Sequence, residues 1–177
     1  MSLVMTRHHW VAATLLSTVS ALACAQDFPA RRPGLWEINM MNDGKPGVVA
    51  KHCVDEKTDQ AMQKMAQTIG AECSQSGLKR DGDAIVSSSV CKFGDNTISS
   101  KSRTTGDFKS TIRTEVDSQY SPPLAGKATG KVIIEAKWSG ACPAAMKAGD
   151  MEMPGGMKVN VNQIMQGTGK ASAAGKP

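Results

Sequence analysis

The 177-residue chain carries a formal charge of +5 and only 4% aromatic side chains, a size that sets the expectation of one domain. The charge is modest and dispersed. No run of Lys or Arg reaches the density of a nucleic-acid footprint, which excludes nucleic acid as a partner and leaves a solvated basic surface.

At the start, Arg7 with His8 and His9 precedes an apolar stretch, 10–23, of signal-peptide length. It is too short for a comfortable membrane span, which needs roughly 20 residues. A signal peptide over 1–25 is therefore expected, then one β-rich domain over 26–166 and a tail over 167–177. Ala23-Cys24-Ala25 offers small residues for cleavage after Ala25, giving a periplasmic or secreted protein. The competing route cleaves before Cys24 and acylates it, and only that route attaches the protein to a membrane. Ala21 stands where lipoprotein signals usually carry Leu, so the soluble route fits better. Cys53, Cys73, Cys91 and Cys142 remain in the domain, an even set that reads as two disulfides in an oxidising compartment with three possible connectivities.

The domain opens on Arg32-Pro33-Gly34-Leu35-Trp36-Glu37-Ile38-Asn39-Met40. A Pro-Gly turn runs into alternation, with Trp36, Ile38 and Met40 on one face and Glu37 and Asn39 on the other, the pattern of a half-buried strand. A turn cluster around Asn42-Asp43-Gly44 leads to a second strand, 48–53, antiparallel to the first. The acidic stretch 55–59 supplies the N-cap of a helix. Its apolar face is Met62, Met65, Ala66 and Ile69, and Gly70 ends it.

Between Cys73 and Cys91 a hairpin is expected around Asp81-Gly82. A type I′ turn sets Arg80 opposite Asp83 and Leu78 opposite Ile85, and Cys73 then misses Cys91 by one place. A three-residue loop centred on Gly82 brings those cysteines face to face. The rival pair, Cys53 with Cys73, clamps the helix between two strand ends, so the connectivity stays open.

Residues 97–104 are rich in hydroxyls and cations, and Thr105-Gly106-Asp107 turns them into the strongest strand, 108–116. Phe108, Ser110, Ile112, Thr114 and Val116 share one face of it. Matching faces pairs Phe108 with Thr104, Ser110 with Ser102 and Ile112 with Ser100. Arg103 then lies opposite Lys109 in a small outer basic patch. Residues 121–126 read as a loop, and 131–138 as a strand with Val132, Ile134, Ala136 and Trp138 inward. Residues 159–165 read as strand or helix, and the tail as disordered. The sum is a mainly β fold: an antiparallel meander of about six to eight strands forming an up-and-down barrel or strongly curved sheet, with one α-helix.

From Pro33-Gly34-Leu35-Trp36-Glu37 onward the chain resembles the exported bacterial proteins grouped as domain of unknown function 3617. The likeness continues through Cys53 before an acidic helix, Cys73, Cys91 and Gly106-Asp107-Phe108. It closes with Trp138-Ser139-Gly140-Ala141-Cys142 and Gly149-Asp150-Met151, so it spans about residues 32–165. Ala148 departs from the pattern, which has Pro before Gly-Asp. The resemblance implies an exported, mostly β domain with no agreed activity.

Catalysis is not expected. His52 is the only histidine of the mature chain, and no nucleophile motif accompanies it. His52 and Cys53, as strand neighbours, point to opposite faces, and Cys53 is expected to be oxidised. No cofactor is expected. The leading expectation is a non-enzymatic envelope binding module for a small apolar ligand or lipid, lined by Trp36, Phe108, Ile112, Ile134 and Trp138 and closed from the helix by Met65 or Ile69. Small inward residues such as Ser100, Ser102, Ser110, Thr114 and Ala136 leave space among the large ones. The alternatives are a periplasmic Cu(I) site from the thioethers of Met151, Met153 and Met157, with His52 joining, and a module that binds an envelope protein or serves structurally. Against copper, Met40, Met41, Met62, Met65 and Met146 fit the ordinary role of methionine as a gap-filler.

Overall fold

The computed structural model describes residues 28–68, 73–75 and 78–167. The expected signal peptide, Cys24, Ile69, Gly70 and residues 168–177 lie outside the described residues. The elements run β1 (Gly34–Asn42), β2 (Lys45–Val54), α1 (Glu56–Thr68), β3 (Cys73–Gln75), β4 (Lys79–Asp81), β5 (Ala84–Phe93), β6 (Asn96–Gly106), β7 (Thr111–Leu124) and β8 (Lys127–Gly140). Then come β9 (Asp150–Glu152), a 3₁₀ turn at Pro154–Gly156, β10 (Lys158–Asn160) and α2 (Val161–Gly167).

All ten described strands join one antiparallel sheet in the order β10-β9-β2-β1-β8-β7-β6-β5-β3, with β4 also paired to β5. The ends of this path do not pair with each other, so the described strands form an open sheet and not a closed barrel. Bulges in β1 and β7 bend it. The strand count exceeds the expected six to eight because β3, β4, β9 and β10 have only three residues each, too few to show a period. A second, short helix, α2, follows β10 directly, so 159–165 is strand and then helix. Gly167, expected in the tail, closes that helix.

The first strand is the hub. β1 lies between β2 and β8, with Trp36 opposite both His52 and Trp138, and Ile38 opposite both Ala50 and Ala136. The expected inner faces of β1 and β8 therefore coincide.

Two expected registers and one expected loop are corrected. β6 and β7 pair Thr104 with Thr114, Ser102 with Val116 and Ser100 with Ser118. The shift is six residues, an even number that preserves the faces. Its cause is Asp107, whose carboxylate accepts the N–H groups of Lys109, Ser110 and Thr111 and the Ser110 hydroxyl. That ties 107–110 into a connection, with Phe108 in the left-handed region at φ 58. β7 begins only at Thr111, so Ser110 is exposed in the turn. Arg103 consequently faces Glu115, not Lys109, and pairs with Asp81 at 2.6 Å, so the outer basic patch does not form.

The 81–84 turn has a two-residue loop, with Asp81 opposite Ala84 and Arg80 opposite Ile85. Cys73 nonetheless reaches Cys91, because the pairing is offset by one residue beyond that point. Residues 121–124, expected as loop, continue β7 past its bulge to a two-residue turn at Ala125-Gly126.

The disulfides are Cys53–Cys142 and Cys73–Cys91, with sequence separations of 89 and 18; the Cys53–Cys73 alternative is not formed. Loop-closure entropy assigns on the order of 4 kcal/mol to the long bridge and about 3 kcal/mol to the short one.

Candidate functional site

The opening and closing motifs meet on adjacent strands. Gly34 has φ +132, and a Cβ there would sit 2.3 Å from the Gly140 carbonyl oxygen and 2.5 Å from Trp138 Nε1, so only glycine fits. The indole of Trp138 donates to the Pro33 carbonyl at 3.0 Å, and that of Trp36 donates to the Arg32 carbonyl at 2.8 Å. The Arg32 guanidinium stacks 3.6 Å over the Trp138 ring. Residues 31–33 thus form a strap over the two tryptophans, and Cys142, just past β8, is bonded to Cys53 on β2.

Under the strap runs a row of cross-strand neighbours. Val159, Met151, His52, Trp36 and Trp138 are successive partners across β10, β9, β2, β1 and β8. Directly opposed residues share a face, so these five side chains form one line. Its centre is sealed: His52 and Trp36 are both 0% exposed. Both ring nitrogens of His52 lack a hydrogen-bond partner, which is unusual for a buried polar group. Burial, and secondarily the charge of Arg31, push its pKa down to about 4 against a smaller opposing effect of Asp59. His52 is therefore a neutral imidazole at neutral pH.

The start of α1 and the strap together roof the middle of this row, where Arg31 and Asp59 both act on His52. Asp55 caps α1, accepting from Thr58 N–H at 2.8 Å while Thr58 Oγ1 accepts from Asp55 N–H at 2.9 Å, a reciprocal capping box. The cap holds the Asp55 carboxyl below the usual carboxylate range. Asp59, 2% exposed, takes Arg31 Nε at 2.6 Å and Arg31 N–H at 3.0 Å, and Gln63 donates to it at 3.2 Å. Sequence reasoning assigned Asp59 only to the helix start and gave Arg31 no role. A signal existed, because Asp59 falls three residues before Met62 and seven before Ala66, on the apolar stripe. A carboxylate there needs a cation.

Further along the same face the character changes. Ile38, Ala136 and Ile112 form one row, and Ile134 and Thr114 the next with buried Thr104 and Ile85. Val132, Val116, Ser102 and Ser87 follow, then Gly130, Ser118, Ser100 and Ser89. The hydroxyls pair across strands: Thr104 with Thr114 at 3.0 Å, Ser87 with Ser102 at 2.7 Å and Ser100 with Ser118 at 2.8 Å. Ile38, Ile112, Ile134, Val116 and Val132 are only half-buried.

Of the expected lining residues, Trp36, Trp138, Ile112 and Ile134 thus lie on one face. Phe108 sits at the β6–β7 turn, its ring 6.3 Å from Phe28. Met65 lies within α1, and its side chain is outside the described residues. Of the three methionines, Met151 is in the His52 row and Met153 is half-buried just beyond β9. Met157 is 60% exposed, beyond the 3₁₀ turn.

The opposite face is charged and paired. Arg113 bonds to Glu115 and Glu135, Lys131 reaches Glu115 at 2.8 Å, and Glu115 titrates low because of both cations. Two depressions of about 530 and 520 Å³ are lined by residues of both faces, Ile38, Ile112 and Ala136 joining the first and Ser89, Ser100, Ser118 and Gly130 the second. Arg113, Glu135 and Lys137 border the first; Lys101, Asp117 and Lys131 border the second. Mutual pairing accounts for much of this surface. Among the described residues, no three His, Cys, Asp or Glu side chains gather as a metal site.

Comparison with curated proteins and with solved structures returned no match. A family model does match residues 31–142, which hold the Trp36–Trp138 pair, the strap over it and both disulfides. The chain belongs to that family, the proteins of unknown function designated DUF3617.

Proposed function

We propose that the domain is an exported, non-enzymatic binding module that holds a small amphiphile, a lipid or similar molecule, along the uncharged face of its sheet. The observation that carries this reading is the grading of that face. It runs from the tryptophan row, through the half-buried Ile and Val rows, to rows of serine whose hydroxyls are already paired. An apolar chain lying on Ile112, Ile134 and Val132 buries area worth about 25 cal/mol per Å². Its polar end then meets Ser100 and Ser118, where exchanging one hydrogen bond for another costs little. The two disulfides fit an oxidising compartment, and the apolar stretch 10–23 supports export.

His52 does not suit general-base work in this reading. It is sealed, neutral and beside a disulfide-bonded cysteine rather than a free thiol.

The test is titration of the mature protein with an environment-sensitive fluorescent fatty acid. Saturable enhancement, displaced by an unlabelled amphiphile and abolished by Ile134→Asp, is expected. Enhancement that survives Ile134→Asp, or none at all, rejects this face as the site.

A further inference from the structure

We infer that His52, Met151 and Met153 form a Cu(I) site at the sealed end of the sheet, with Trp36 as its wall. The site lies apart from the Ile and Val rows proposed to hold an amphiphile, and it centres on His52. A histidine that is 0% exposed, with neither nitrogen bonded, has given up its water without a protein partner in exchange. Its directly opposed neighbours are Met151 on one side and Trp36 on the other. Met153 has extended backbone, φ −92 and ψ 166, so it continues the alternation and falls on Met151's side of the chain.

Imidazole and thioether sulfur together select a soft monovalent ion over a hard divalent one. A tryptophan face beside the ion adds cation–π stabilisation. The charged groups that face His52 are Arg31 and Asp59, and they hold each other in an ion pair, so the site carries little net charge. Met151 and Met153, on short strand β9 and just beyond it, are half-buried, so part of each remains accessible to solvent. Met157, 60% exposed beyond the turn, is not a ligand.

This differs from a cluster of three neighbouring methionines, and the two arrangements separate experimentally. The mature, disulfide-bonded protein is titrated with Cu(I) kept reduced by ascorbate, in competition with bicinchoninate. One equivalent bound is expected, with quenching of tryptophan fluorescence and an extended X-ray absorption fine structure fitted by one nitrogen and two sulfur neighbours. Met151→Leu and Met153→Leu, which conserve volume and should fold, are each expected to weaken binding by about tenfold or more. Met157→Leu is expected to leave it unchanged. Failure to hold copper against bicinchoninate overturns the inference, and so does equal weakening by Met157→Leu. Neither result bears on fatty-acid binding, which is read separately.

Discussion

At the β9–β2–β1 end of the sheet, His52, Trp36 and Val54 are at most 2% exposed, while Ile112, Ile134 and Val116 on the same face remain half-buried. Hydrophobicity alone would have reversed that order for the histidine and the isoleucines. The difference lies in what covers each end. The strap at residues 31–33, the capped start of α1 and the Arg31–Asp59 ion pair close over the tryptophan row. One end of the face is closed by the chain itself, and the other is only partly covered.

Unpairing the roof is expected to have the largest effect. Asp59→Ala strands the Arg31 charge, 15% exposed, and is expected to cost roughly 3–5 kcal/mol in denaturant unfolding. Replacing both partners, Arg31→Met with Asp59→Leu, should recover most of that loss. If the double variant is no more stable than the single one, the pair is not what holds the roof.

That roof was the least legible part of the sequence. The alternation of Trp36, Ile38 and Met40, and of Val132, Ile134, Ala136 and Trp138, gave both central strands with their faces correctly assigned. Nothing local declares that β1 pairs with β8, roughly a hundred residues later, because register between distant strands is set by the assembled sheet. The β6–β7 shift was hidden for another reason. Phe108 continued the alternation, yet the Asp107 carboxylate captured three backbone N–H groups and turned the chain first. The disulfide choice depended on a one-residue offset between two halves of a hairpin, which composition cannot reveal. His52 was visible as a residue but not as a sealed one, since strand alternation gives its face and not its cover.

The next effect is a pH slope. The pKa of His52 falls from 6.5 to about 4 on folding. Between those values the unfolded chain binds the proton and the folded one does not, so stability drops as pH falls from about 6.5 to about 4. The full loss is on the order of 3 kcal/mol by the standard conversion of a pKa difference. Chemical denaturation of the wild type and His52→Phe across that range checks it. The variant should lose this component of the slope, and an unchanged slope would assign it to other groups.

The open end should respond least. Ile134→Asp is expected to cost only about 1 kcal/mol, because its half-buried site lets the carboxylate reach water. It should nevertheless abolish fatty-acid binding. A loss of several kcal/mol would mean that this face is core, as sealed as the tryptophan row.

The most direct test of the open face is native mass spectrometry of the protein purified gently from its own source. A noncovalent adduct of amphiphile mass is expected that disappears on denaturation and is missing from Ile134→Asp. The polypeptide itself should weigh four hydrogens less than its reduced form, matching two disulfides. A bare, oxidised polypeptide in the wild type, with no adduct before denaturation, would contradict the claim that this face holds an amphiphile.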